Sequence, residues 1–283
     1  MMKKFFLIAL GLLCMTGLFA QDNTLLWKVS GNGLTKDSYV FGTLHMACAD
    51  DFRIADKVKN ALGVTDKIAF EVDVTKPENM QLVQGALAPN PEFFNGLAVD
   101  KKQFIDSVLT SLQVPPMIFD QVSPVAVISM LAMKSFDCPD MNSIKMMEME
   151  LQALEDAKGK TVEELETITF QMDLMSELFS AEDLYTYLKE SGNMSELTKR
   201  MVKAYFEENI AELEEMMINT AYLSPEKQAL LLDTRNEAWL EKMPAMMEAD
   251  AYFFAVGAGH LVGEKGIVQL LKDKGYTLTP ILN

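Results

Sequence analysis

The sequence contains very little histidine and lacks several common catalytic signatures. Only two histidines, His45 and His260, occur in 283 residues. No glycine-rich phosphate loop, His-Glu-x-x-His helix, Cys-x-x-Cys pair or Gly-x-Ser-x-Gly turn is present. The sequence therefore does not support the kinds of catalysis that depend on those motifs.

Basic residues are also scarce. The chain has 25 lysines and arginines against 41 acidic residues, for a net charge of −16. Nucleic acids and anionic membrane surfaces bind proteins through basic patches. We therefore expect neither partner.

Long apolar runs are missing after the first twenty residues. Met1-Met2-Lys3-Lys4 is followed by a weakly polar run from Phe5 to about Phe19 and then by Ala20. This order predicts a secretory signal peptide over residues 1–20, with a mature charge of about −18 and a periplasmic or extracellular location. A single membrane anchor is the alternative, but the run is short of the ~20 residues that a spanning helix needs.

Cysteine is equally sparse. Besides Cys14 in the leader, only Cys48 and Cys138 remain. An exported protein sees an oxidising compartment, so the two could form a disulfide beside His45. The alternative is two unpaired small core residues, in which case a Cys48–histidine nucleophile is conceivable.

Both histidines follow the same pattern. Gly42-Thr43-Leu44-His45 ends the apolar run Tyr39–Phe41, and Gly257-Ala258-Gly259-His260 ends the run Ala251–Val256. In open α/β sheets, ligands bind at the carboxyl ends of strands. Because histidine is the commonest metal-ligand side chain, two such strand ends suggest one shared site.

The periodicity predicts an α/β domain over residues 21–283, with a mostly helical insertion over about 77–245. Strands are expected over 25–30, 38–43, 68–70, 160–165, 251–256 and 276–282, and the main helices over 51–62, 141–158, 167–179, 224–242 and 264–274. Many of the 21 methionines fall on the helices. Adaptable core filler is the simpler interpretation of them, and a peptide-binding groove is the second.

Two histidines do not complete a catalytic metal centre, which usually takes three protein ligands and a water. Glu71 is the best third candidate, because it too follows a buried strand, and Asp73 is next. A solvated charge at the strand end explains Glu71 equally well.

Two further charged residues are weaker candidates. Glu166 follows a short strand and could act as a general base, although a helix-start acid is the simpler explanation. Arg235 could pair with Glu71 or stabilise an oxyanion, although on spacing alone it is more simply a surface charge.

Taken together, these motifs resemble the TraB/PrgY/GumN family, whose animal relatives are the Tiki proteins. The matches occur in the family's order: 39–45, 70–73, 165–167 with Gln171, Arg235-Asn236, and 254–261 with Gly263. The chain departs from the family at Cys138-Pro139-Asp140, where many members have a glycine.

The resemblance implies an α/β mixed-sheet core made of two related halves, and metal-dependent hydrolysis of peptides. It implies that His45, His260 and Glu71 hold a divalent ion, with zinc, manganese or cobalt as options. The same resemblance makes Glu166 and Arg235 stronger candidates for catalytic residues. Two other functions stay open: a protein that sequesters a peptide or signal without cleaving it, and a hydrolase of small esters.

Overall fold

The computed structural model describes residues 23–86, 88–156, 159–190, 194–217 and 224–283. The predicted signal peptide and Cys14 lie outside these ranges. Within them, no helix combines the length and apolar character that a membrane crossing requires.

A six-stranded mixed sheet forms the centre of the molecule, in the order β6-β4-β7-β2-β1-β8. Its strands are β1 (Leu26–Ser30), β2 (Ser38–Thr43), β4 (Lys67–Phe70), β6 (Thr161–Glu164), β7 (Tyr252–Gly257) and β8 (Thr277–Pro280). The four neighbours β6, β4, β7 and β2 run parallel, whereas β1 is antiparallel to both β2 and β8. The predicted mixed α/β fold is confirmed.

The two histidine motifs lie on adjacent central strands. Strand β2 pairs with β7 in a register that places Thr43 opposite Gly257. Residues 252–256 of β7 are all buried, which explains why that strand is a continuous apolar run rather than an alternating pattern. The hairpin of β1 and β2 also forms as expected.

Helices cover the sheet and build a second layer. Their bounds are α1 (Asp56–Val64), α2 (Pro77–Ala86), α3 (Val99–Ser111), α4 (Pro124–Ser135), α5 (Met147–Asp156), α6 (Ile168–Leu178), α7 (Ala181–Glu190), α8 (Met194–Phe206), α9 (Ile210–Met217), α10 (Pro225–Gln228), α11 (Thr234–Leu240), α12 (Met243–Ala249) and α13 (Ile267–Asp273). A π-helical segment, Ala229–Asp233, joins α10 to α11. Helices α3, α4 and α7 enclose a smaller apolar core of their own, separate from the core around the sheet.

Two predicted helices begin in the wrong place. The helix predicted over 51–62 begins at Asp56 and continues past Gly63 to Val64, so this glycine does not end it. The helix predicted over 141–158 is a 3₁₀ turn, then the short strand β5 (Lys145–Met146), and then α5 from Met147. Helical periodicity concealed β5, because a two-residue strand has no pattern of its own.

Strand β5 pairs with β3 (Met46–Ala47) directly after His45. A disulfide between Cys48 and Cys138 joins the same two segments, with 5.4 Å between the Cα atoms. The backbone N–H of Met147 also donates to the carbonyl of His45, at 3.1 Å. The disulfide therefore forms in the structure, and the unpaired-cysteine and Cys48-nucleophile alternatives are wrong.

We expect loss of this disulfide to destabilise the fold. It closes a loop with a sequence separation of 90 residues, and a loop of that size corresponds to about 4.6 kcal/mol in the chain-entropy description. Urea unfolding of the Cys48→Ala/Cys138→Ala variant should show that loss. The wild type under reductant should approach the variant, and a free energy of unfolding equal to the oxidised wild type would contradict the expectation.

Candidate functional site

The candidate site lies at the carboxyl ends of the four parallel strands. His45 follows β2, Glu71 follows β4, Glu166 follows β6, and His260 follows β7. Because these strands are neighbours in the sheet, their last residues meet at one edge. Residues separated by more than two hundred positions in the sequence are thereby brought together.

Three of these side chains surround Gly257. A Cβ atom built on this glycine would lie 3.3 Å from Glu71 Oε1 and 3.6 Å from His45 Nε2. It would also lie 3.6 Å from the Cδ2 atom of His260. A side chain at this position would press on the Glu71 carboxylate, so glycine gives the three side chains the closest approach without displacement.

Glu71 is buried and fully hydrogen-bonded. Its Oε1 accepts the backbone N–H of Gly257 at 2.7 Å, and its Oε2 accepts from Gln171 at 3.0 Å and from Arg235 at 2.5 Å. Burial favours the neutral acid, but the neighbouring histidines, Arg235 and the Gly257 N–H together lower the pKa of Glu71 to about 2. The carboxylate is therefore ionised, and the solvated-charge interpretation is wrong.

Arg235 is buried beneath the site, with 5% of its surface exposed. Its Nε donates to both oxygens of Glu166, and one terminal nitrogen bridges Glu166 and Glu71. The other terminal nitrogen contacts the Leu231 carbonyl and His260 Nε2, each at 3.0 Å. The surface-charge interpretation of Arg235 is wrong, and the Arg235–Glu71 pair that the sequence suggested does form.

Glu166 is also buried. Besides the bonds from Arg235, its Oε2 accepts the indole N–H of Trp239 at 2.9 Å. Both oxygens thus have donors, so Glu166 is more than a solvated helix-start acid. Its role as a general base stays a prediction.

His260 is held in one tautomer. The amide nitrogen of Asn236 donates to the carbonyls of His260 and Lys265, which leaves the Asn236 oxygen to accept from Nδ1 at 2.7 Å. Nε2 then carries the lone pair that accepts from Arg235. Burial and the nearby positive charges lower the pKa of His260 to about 3, so the ring is neutral near pH 7.

His45 is oriented by a residue that the sequence did not reveal. Glu148, at the start of α5, accepts from His45 Nδ1 at 2.8 Å and from the Thr43 hydroxyl at 2.6 Å. Although partial desolvation of the ring opposes the imidazolium, the hydrogen-bonded Glu148 carboxylate raises the pKa of His45 to about 9. The one available signal was the cysteine pair, since its second member lies ten residues before Glu148.

The Asp73 carboxylate bonds to a neighbouring threonine, Thr75. Its Oδ1 accepts from the backbone N–H and the hydroxyl of Thr75, at 3.0 and 2.6 Å. Strand β4 ends at Phe70, so the two-residue period that placed Asp73 beside Glu71 does not continue. Among the described residues that the sequence proposed, Glu71 rather than Asp73 joins the two histidines.

The types of side chain in this cluster are ones that bind divalent ions. Two imidazoles and a carboxylate are ligands that zinc and related metals accept. In the described ranges, however, no three His, Cys, Asp or Glu side chains are arranged to hold an ion. Arg235 bonds to His260 Nε2 and to one Glu71 oxygen, which are two of the atoms that this donor set would offer an ion.

Comparison with known proteins places the chain in a family. The family model described as TraB/PrgY/gumN matches residues 25–280. The chain belongs to the TraB/PrgY/gumN family. It is also 55% identical over 29 residues to a metalloprotease TIKI homolog from Amphimedon queenslandica. That stretch covers 10% of this chain and 6% of the relative, and no solved structure matches.

Because the chain has only two histidines, NMR can follow each ring alone. In metal-free protein, we expect one imidazole to titrate near pH 9 and the other to remain neutral down to about pH 3. The His45→Gln variant should remove the first signal. Glu148→Gln should lower the pKa of His45, because the anion that stabilises the imidazolium is gone. Two histidines that both titrate near 6.5 would contradict this arrangement.

The same groups predict acid sensitivity of the fold. His260 has a lower pKa in the folded state than in the unfolded chain, so the unfolded state binds its proton first as the pH falls below about 6.5. Glu71 adds to the effect between about pH 4.5 and 2. The free energy of unfolding should therefore fall as the pH decreases through this window. Denaturant titrations at several pH values, with His260→Asn as the control, should show a shallower pH dependence in the variant.

Proposed function

We propose that this protein is an exported metal-dependent hydrolase that cleaves peptide bonds. The observation that carries the proposal is the approach of His45 Nε2, Glu71 Oε1 and His260 to one point beside Gly257. Family membership and the short match to a metalloprotease TIKI homolog support it. The Cys48–Cys138 disulfide suits an oxidising compartment and so supports export.

His45, His260 and Glu71 would hold the ion, which is zinc, manganese or cobalt. A bound divalent ion polarises a carbonyl and lowers the pKa of a water. Glu148 and Asn236 orient the two imidazoles through the ring nitrogen that faces away from the site. Such outer hydrogen bonds fix the tautomer and increase the basicity of a ligating histidine.

The remaining charged groups have separate roles in the proposal. Glu166 accepts the proton of the attacking water, and Arg235 stabilises the charge that develops on the carbonyl oxygen. Both act in a buried environment, where such interactions are stronger than in water. The peptide reaches them from the side of His45, whose side chain is 59% exposed.

A second candidate is ester hydrolysis without a metal. It is favoured by the His45–Glu148 pair, since a carboxylate on Nδ1 leaves Nε2, which faces Gly257, as the proton-transferring atom. The Arg235 bond to His260 Nε2 also favours it, because this bond occupies the ring nitrogen that a metal ion would need.

Digestion of a peptide library by purified protein tests the proposal. We expect cleavage with added Zn²⁺, Mn²⁺ or Co²⁺ and none after chelation. His45→Ala, His260→Ala and Glu71→Gln should each reduce kcat/KM by at least about a hundredfold, because the lost ligand takes the ion with it. The exposed Glu241→Gln change serves as a matched control and should leave cleavage unchanged.

The outcomes separate the alternatives. Peptide affinity that survives His45→Ala without any turnover would contradict the hydrolase and support sequestration. Cleavage of ester substrates that persists in chelator but fails in His45→Ala would support the metal-free candidate. Unchanged peptide cleavage in all three ligand variants would place the reaction elsewhere.

A further inference from the structure

The Arg235 guanidinium uses its whole donor capacity inside the site. A guanidinium has five N–H groups. Here they reach two carboxylates, one imidazole and one carbonyl: Glu71, Glu166, His260 and Leu231. A buried cation needs such complete pairing to offset its desolvation.

One of those acceptors, His260 Nε2, is an atom that a metal ion at this site would also need. His260 Nε2 accepts from Arg235 at 3.0 Å, and Asn236 occupies the other ring nitrogen. His260 therefore has no second lone pair to offer. Glu71 has one oxygen on Arg235 and Gln171, while Oε1 faces Gly257. Arg235 and a metal ion thus compete directly for His260.

The charges of the buried groups also indicate that Arg235 and a metal ion exclude each other. With Arg235 in place, the two buried carboxylates Glu71 and Glu166 are offset by one positive charge. A divalent ion brought beside that guanidinium would meet like-charge repulsion in a poorly screened environment. Without the guanidinium, two buried carboxylates would favour a divalent cation strongly.

The helix that carries Arg235 is irregular just before this residue. The π-helical segment Ala229–Asp233 precedes α11, with the N–H of Thr234 bonded to the carbonyl of Ala229. Leu231, one of the Arg235 partners, lies within it. Short π segments recur at functional sites. The π segment therefore lies directly before the residue whose side chain joins Glu71, Glu166 and His260.

We propose that Arg235 is a resident cation that occupies the metal site of the metal-free protein and sets its metal affinity. An incoming ion must displace the Arg235 N–H from His260 Nε2 before that nitrogen can ligate. This inference rests on the proposed metal-dependent function. It adds that Arg235 makes the metal affinity of the wild type lower than the affinity that the ligands would provide without it.

Cobalt titration of the metal-free protein tests this inference. The visible absorption of Co²⁺ reports its ligands directly, and competition with a chelator gives the Kd without any substrate. We expect Arg235→Gln to bind Co²⁺ at least about tenfold more tightly than the wild type, since a close like charge is gone. The exposed Arg200→Gln change is the matched control and should leave the Kd unchanged.

A second variant keeps the test decisive if Arg235→Gln does not fold. Arg235→Lys keeps the positive charge but loses the fork that reaches His260 and both carboxylates together. It should bind Co²⁺ more tightly than the wild type and less tightly than Arg235→Gln. If Arg235→Gln does not fold by circular dichroism, a gain in affinity by Arg235→Lys supports the proposal, and no gain overturns it.

The results distinguish this inference from the proposed function. Equal or weaker Co²⁺ binding by folded Arg235→Gln overturns the resident-cation role, even if the wild type cleaves peptides with metal. Tighter binding supports the role, even if no peptide is cleaved. Absence of metal binding in the wild type and both variants overturns both proposals.

Discussion

The buried guanidinium of Arg235 is the interaction on which the site depends. It joins the end of strand β4, through Glu71, to the end of β6, through Glu166, and to His260 after β7. Each of those groups would be costly to bury alone. Together they satisfy one another, so removal of any partner leaves an uncompensated charge or an unpaired donor.

A second set of contacts attaches His45 to this centre from the other side. Three contacts connect the segment after β2 with residues 138–148, which lead into α5 and form its start: the Cys48–Cys138 disulfide, the β3–β5 pair and the Glu148 carboxylate. His45 is exposed and follows the end of its strand, so the sheet alone does not fix its ring. The site therefore has a rigid buried half and a half that depends on a covalent cross-link.

The sequence indicated the parts of the site that lie on strands. His45, Glu71, Glu166 and His260 could be predicted because an apolar run followed by a polar residue marks a strand end, and parallel strands share an edge. Arg235 was predicted only weakly, because a helix residue has no such marker, and its burial depends on packing against the sheet. Glu148 was missed because a two-residue strand and a long-range disulfide decide its position, and neither has a local pattern. The signal peptide stays a prediction.

The placement of the two glycine-histidine strands has a consequence for synthesis. Strands β2 and β7 are neighbours in the sheet, yet Thr43 and its partner Gly257 are separated by most of the chain. An amino-terminal fragment lacks β7, and so it lacks both the central strand of the sheet and half of the site. During translation, the residues of the site therefore cannot assemble until the carboxyl-terminal segment has joined the fold. Closing so long a loop is an entropic cost that strand pairing must offset, so this contact is expected to form late in folding.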